Sequence, residues 1–213
     1  MKDLKHLIYF ESLLENANNE LVQKAQAEGN LALGYTCYHV PEALLNVGNC
    51  FSVRLRAPHT GSIDIATYYM SNYTCEFARA LVERGIEGGY QFLDAMIGVD
   101  ACSMMNRAME HFEILKVNDK PNFFVTHCDI PYKITDYTLD SYVKQMRIHV
   151  LDKLTEVYGV DTSDAAIRQA VAEHNEVCSI ISEMAEMRKA ENPVITGYEF
   201  HVINLVSYTC PKA

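Results

Sequence analysis

The sequence has no apolar run approaching the ~18 residues that a membrane helix needs. It has no Walker motif and no G-x-G-x-x-G, and neither an internal repeat nor a low-complexity segment. A membrane-spanning helix is therefore not expected, and any ATP hydrolysis is left to a partner. Positive charge is also in short supply: 18 Lys and Arg stand against 28 Asp and Glu, a net charge of -10. That balance argues against nucleic acid and anionic membrane surfaces as main partners. The start, Met1-Lys-Asp-Leu-Lys-His6, is charged, and the apolar run after it is too short for a signal peptide, so a cytoplasmic location is expected. Although seven cysteines are present, no short metal motif joins any of them.

What is present suits a globular α/β protein. Hydrophobic residues make up 49% of 213, ample for a packed core, in a chain long for one domain and short for two. Residues 3–28 carry apolar positions at helical spacing, and Gly29 is a plausible stop. Leu31–Tyr35 is a short apolar run. Pro41 to about Val47 reads as a helix ended by Gly48, and Phe51–Arg56 alternates as a strand does. From Ile65 to Arg84 the pattern is helical, with Ser71–Thr74 able to interrupt it and start a new helix near Cys75. Asp94–Val99 reads as a buried strand, with Asp100 as candidate N-cap of a helix over 101–112. Asn122–Thr126 is a further strand. Helical stripes follow at Leu139, Val143, Met146, Val150 and Leu154, ended near Gly159. A second runs through Ile167, Ala170, Val171, His174, Val177, Ile181 and Met184, capped by Ser163 and stopped by Asn192-Pro193. Ile195–Glu199 turns into another element.

Strand–helix alternation over 31–128 predicts a parallel sheet with covering helices, a Rossmann- or flavodoxin-like lobe, with an N-terminal helix and long C-terminal helices. The expected division is 1–30 N-terminal helix, 31–132 α/β lobe, 133–192 helical region, and 193–213 the start of a second lobe.

Within Gly34–Glu113, three cysteines each sit close to a probable helix start: Cys37, Cys75 and Cys102, spaced 38 and 27 residues apart. Ligands of open parallel sheets bind outside the carboxyl ends of the strands. Cys37 follows the first proposed strand, Cys102 the third, and Cys128 ends the fourth. A helix beginning at Cys75 would start on the same side. Helix N-termini stabilise thiolates, and three thiolates around one point suit a metal or an iron–sulfur cluster. Free cysteine is also among the most buried residue types, so packing remains open for each thiol, and is the reading for Cys50, Cys178 and Cys210.

The segments GYTCYHVPEALLNVG, YTCEFARALVERG and GVDACSMMNRAMEHFE, in this order and spacing, resemble the 2-hydroxyacyl-CoA dehydratase and benzoyl-CoA reductase family. Asp129-Ile-Pro131, Glu173-His-Asn175 and Ile195–Glu199 extend the likeness over nearly the whole chain. The resemblance implies two related α/β lobes per subunit and a helical region. It implies one [4Fe-4S] cluster held by Cys37, Cys75 and Cys102. It implies an ATP-dependent iron–sulfur activator protein that delivers one electron, a second dehydratase-type subunit, and an acyl-CoA substrate. In the dehydratases the thioester carbonyl becomes a ketyl radical and hydroxide leaves the neighbouring carbon, whereas benzoyl-CoA reductases consume electrons in reducing a ring. Family subunits are longer, and this chain stops where the second lobe is expected to begin. A non-catalytic cluster-bearing subunit and a cluster-free module are the other readings.

Other residues carry two readings each. Glu42, after Pro41, is a candidate proton-transfer group or contact to the cluster's open site, though acidic residues favour helix starts anyway. His39 is a ligand, a proton donor, a hydrogen-bond donor to cluster sulfur, or a solvated loop residue. Arg54, Arg56 and His59 either meet the phosphates of coenzyme A or form a wet strand edge. Arg107 and His111 read as a surface pair. His174 reads as a core histidine, and Met104, Met105 and Met109 as helix packing.

Overall fold

The computed structural model describes residues 4–212. The charged start Met1–Asp3 and the first residue of the proposed 3–28 helix lie outside it. That helix is two: α1 (Lys5–Leu14) and α2 (Glu20–Ala27). The break falls at Asn16-Ala-Asn-Asn19, where amide side chains compete with the helix for backbone groups. Asn19 ends the competition as an N-cap, its Oδ1 accepting from the Leu21 and Val22 amides at 3.1 Å each.

Strands β1 (Leu31–Tyr35), β2 (Cys50–Arg54), β3 (Ala95–Asp100) and β4 (Phe124–Asp129) form one parallel sheet in the order β2-β1-β3-β4. This is the doubly wound arrangement, whose order reverses between β1 and β3. The predicted α/β class is the observed one. The strand expected over 51–56 begins at Cys50 and ends at Arg54, and the last strand reaches Asp129 because each residue from Phe124 on pairs with β3.

Between β1 and β2 the predicted helix is a short 3-10 turn, Glu42–Asn46. Asn46 pulls it onto the sheet: its Oδ1 accepts from the Ser52 amide at 3.1 Å. Helices α3 (Asp64–Tyr69) and α4 (Glu76–Ile86) lead from β2 to β3, interrupted at Ser71–Thr74 as the sequence suggests. α5 (Ser103–Ile114) leads to β4. Asp100 is not its cap. It is the last residue of β3, paired with Asp129, so the cap position falls to Cys102, although the Asp100 carboxylate still accepts from Asn106.

After β4 come α6 (Asp136–Met146), one π turn at Arg147–Leu151, and α7 (Asp152–Tyr158). They make a nearly continuous run that Gly159 ends at φ 69°, a conformation glycine adopts without penalty. The stripe predicted here is only half buried: Met146, Val150 and Leu154 pack, while Leu139 and Val143 are exposed. α8 (Asp164–Glu186) starts at Ser163, whose Oγ accepts from the Ala166 amide at 3.3 Å. Of its predicted stripe, Ala170 alone is fully buried and Val171 is exposed. α9 (Gly197–Thr209) opens on a capping box between Thr196 and Glu199 and packs against α1 and β2.

Apolar side chains alternate between the two sheet faces. Ala32, Phe51, Val53 and Met96 join α2, α4 and α5 in one cluster; Leu33, Tyr35, Ile97 and Val99 join α6–α7, the Glu42–Asn46 turn and Ala170 in the other. Gly98 lets the layers close near the carboxyl edge, since a Cβ there would lie 2.9 Å from Met109 Cε and 3.1 Å from His127 Cδ2. No described helix is long and apolar enough to cross a membrane.

Candidate cofactor-binding edge

The loops after β1 and β3 flank the point where strand order reverses. Cys37 lies in the first, two residues beyond Tyr35, and Cys102 in the second. Cys75 is the residue before α4, which runs back along the sheet and so starts at its carboxyl edge. Topology thus brings all three predicted thiols to one edge. Cys75 and Cys102 both occupy N-cap positions, and neither makes a side-chain cap bond, so first-turn amides of α4 and α5 keep free donors.

The thiols sort by burial. Cys75 and Cys102 are exposed and Cys37 is half-buried. Cys50, Cys128 and Cys210 are buried. Burial pushes the Cys50 thiol up to about 12 and Cys128 up to about 11, each helped by a nearby aspartate, Asp94 and Asp129 respectively. It raises Cys210 as well, against the hydrogen bond from Asn19. These three are packed, neutral thiols. Cys178, expected to pack, is exposed on α8 with its Sγ 3.5 Å from His174 Nε2.

Among the described residues, no three Cys, His, Asp or Glu side chains stand close enough to hold a single metal ion. A four-iron cluster holds its thiolates farther apart than one ion does, and other features of this edge suit such a group. The donors are free thiols, which is the ligand type clusters take. Among the described residues, the buried Thr36 Oγ1, beside Cys37, and His127 Nε2, on β4 against Gly98, have no hydrogen-bond partner. Buried polar groups normally have one, and both can donate to sulfur.

The Cys37 loop is fixed from behind. Tyr142 on α6 donates to the His39 carbonyl at 3.0 Å, and the His39 ring packs tilted, at 32°, on Tyr38 with ring centroids 4.2 Å apart. Glu42 follows, buried rather than solvated. It accepts from the Ser52 hydroxyl at 2.9 Å and pairs with Lys212 Nζ at 2.7 Å. Tyr35 lies beside Glu42, and burial followed by that carboxylate raises the phenol well above the usual tyrosine range. Lys212 in turn lies 3.0 Å from His174 Nδ1. An ammonium only donates, so Nδ1 accepts and the ring proton sits on Nε2, toward Cys178. His174 is thus half-buried in a polar chain rather than in the core. Nothing in the sequence near Glu42 marks Lys212 as its partner.

The three basic candidates part company. Arg56 donates to the Leu14 carbonyl at 3.1 Å, tying α1 to the strand end. His59 sits in a turn. Arg54 faces a cavity. Arg107 and His111 are an exposed helix feature as expected, with Arg107 paired to Glu110 and His111 Nδ1 2.7 Å from the Arg107 carbonyl.

Against known proteins, residues 37–213 match the model of the 2-hydroxyglutaryl-CoA dehydratase D-component family. The chain belongs to that family. It is 21% identical over 176 residues to the (R)-2-hydroxyglutaryl-CoA dehydratase subunit beta of Acidaminococcus fermentans, covering 78% of this chain and 45% of that protein. It is 18% identical over 203 residues to the (R)-phenyllactyl-CoA dehydratase beta subunit of Clostridium sporogenes, covering 95% of this chain and 53% of that protein. The chain therefore spans about half the length of these relatives. The matched region of the D-component model starts at Cys37 and includes Cys75 and Cys102.

Proposed function

We propose that this chain is the cluster-binding part of a 2-hydroxyacyl-CoA dehydratase subunit. The observation that carries the reading is the placement of Cys37, Cys75 and Cys102 at one carboxyl edge of the sheet, in a chain of the D-component family. In this reading the three thiolates hold a [4Fe-4S] cluster, two of them from helix N-caps. When bound, the cluster supplies one-electron chemistry and a Lewis-acidic iron for removing water from a 2-hydroxyacyl-CoA. Thr36 and His127, whose buried polar atoms lack partners among the described residues, would donate hydrogen bonds to its sulfur. Glu42, tied to Ser52 and Lys212, is the proton-transfer candidate. The ATP-dependent activator and the second dehydratase-type subunit complete the system, making the assembly a cytoplasmic lyase. Exposed Tyr132, Ile134, Leu139 and Val143, on and before α6, offer apolar surface for a second polypeptide segment. The four expected segments, 1–30, 31–132, 133–192 and 193–213, remain part of this proposal, as does benzoyl-CoA reduction as the alternative use of the same edge.

The test is anaerobic purification followed by iron and acid-labile sulfide analysis and reduced-state EPR, on the wild type and on Cys75→Ser. About four irons per chain, lost on substitution, are expected for the cluster named above. A folded chain free of iron and sulfide after anaerobic reconstitution sinks the reading. Acyl-CoA turnover with activator and partner subunit then separates an enzyme from an electron relay.

A further inference from the structure

Arg54 ends β2 beside a cavity of about 300 Å³ lined by Tyr35, Tyr38, Glu42, His174, Cys178 and Tyr208 among others. The cavity opens at the carboxyl ends of β1 and β2, the end of a parallel sheet where ligands bind. The Arg54 guanidinium lies over the Tyr208 ring, 5.5 Å from its centroid. A cation–π contact of this kind uses no carboxylate or carbonyl acceptor, so it leaves the guanidinium its N–H donors. Among the described residues those donors have no carboxylate or carbonyl acceptor. The acid that borders the cavity, Glu42, is already paired with Lys212 at 2.7 Å and accepts from Ser52 at 2.9 Å. The local charges therefore sum to one uncompensated cation: Lys212 cancels Glu42, and burial, with the Lys212 ammonium against Nδ1, disfavours a proton on His174.

We infer that this cavity binds a carboxylate through the edge of Arg54. The planar guanidinium matches a carboxylate in a bidentate pair. A single spare positive charge balances one carboxylate group, and the second carboxylate of a dicarboxylate such as glutarate, three methylenes away, can stay in solvent, whereas phosphate carries all its charge on one centre. A phosphate dianion would face Glu42 with half its charge unmatched. Tyr208 holds the guanidinium in place, so little side-chain freedom is lost on binding. Cys37 lies between Tyr35 and Tyr38 in the chain, which puts the bound anion beside the loop of the cluster-binding edge. The inference does not depend on a cluster being present.

Isothermal titration of the full chain with glutarate, and in a second arm with inorganic phosphate, tests it. Glutarate is expected to bind saturably and more tightly than phosphate. Arg54→Gln should weaken glutarate at least about tenfold, the size of a charge-assisted pair, with Arg54→Lys falling between. Tyr208→Leu, which removes the stacking platform, should weaken it less. Thermal melts of each variant establish folding. If Arg54→Gln does not fold, Arg54→Lys and Tyr208→Leu carry the test by the same ordering. Equal glutarate affinity in a folded Arg54 variant overturns the site. So does preferred binding of phosphate, or no saturable binding of glutarate.

Discussion

Lys212, beyond the last helix, reaches Glu42, in the first connection of the sheet, across 2.7 Å with both side chains more than 90% buried. The pair clamps the end of α9 against the turn that follows Cys37. Ser52 and His174 add further hydrogen bonds to it. An ion pair so enclosed stabilises little beyond its own desolvation cost, yet losing one partner strands the other charge.

Lys212→Met is accordingly expected to lower the unfolding free energy by about 3 kcal/mol, measured by urea denaturation, and the double variant with Glu42→Gln should recover most of that. A loss under about 0.5 kcal/mol for the single variant would show that water reaches the pair.

In the folded, cluster-free chain the thiols should react in three classes. Toward a thiol-specific reagent, Cys75, Cys102 and Cys178 react promptly and Cys37 more slowly, while Cys50, Cys128 and Cys210 wait for unfolding. Cys75→Ser and Cys102→Ser should change stability by less than about 0.5 kcal/mol. Cys128→Ser, which puts a hydroxyl into the core, should cost about 1–2 kcal/mol. Mass mapping of labelled peptides checks the order.

His174 gives the fold a pH dependence of definite sign. Burial first, then the Lys212 ammonium, lowers its pKa below 6.5, with Glu42 opposing. The unfolded chain binds that proton more readily, so this contribution is intact above about pH 6.5 and is lost as pH falls below it. The urea midpoint should drop between about pH 7 and 5. His174→Gln should flatten part of that drop; an unchanged slope would place the titration elsewhere.

Asn19 is the strongest cap in the N-terminal region. Besides its two accepted bonds, its Nδ2 donates to the Leu13 carbonyl at 3.2 Å and to Cys210 Sγ at 3.3 Å. Asn19→Ala should cost about 2 kcal/mol, at the upper end for a cap because a buried network goes with it. Asn18→Ala, which removes no cap, is the control, with a shift within about 0.5 kcal/mol expected in thermal melts.

Much of the fold is legible in the sequence where local physics decides. Gly159, Ser163 and the Ser71–Thr74 interruption act through backbone preferences of a few neighbouring residues, and the structure uses each as read. Asp100 shows the limit: an aspartate before a helix is a cap by preference, but strand pairing with Asp129 holds it in the sheet and moves the cap to Cys102. The stripes of α6 and α8 show another. Helical spacing marks a face as apolar without saying whether anything covers it, and Leu139, Val143 and Val171 are exposed.

By itself the sequence determined the types of element, the parallel alternation of strand and helix, and the placement of three cysteines next to connections that emerge at one edge. These follow from periodicity, turn residues and the fixed handedness of strand–helix–strand units. Only the tertiary structure decided which thiols are buried. Only it decided that Glu42 belongs to Lys212, and that Arg54 lies over the Tyr208 ring with unused donors at a cavity. Burial and charge pairing depend on residues far apart in the chain, and no local spacing encodes their distance.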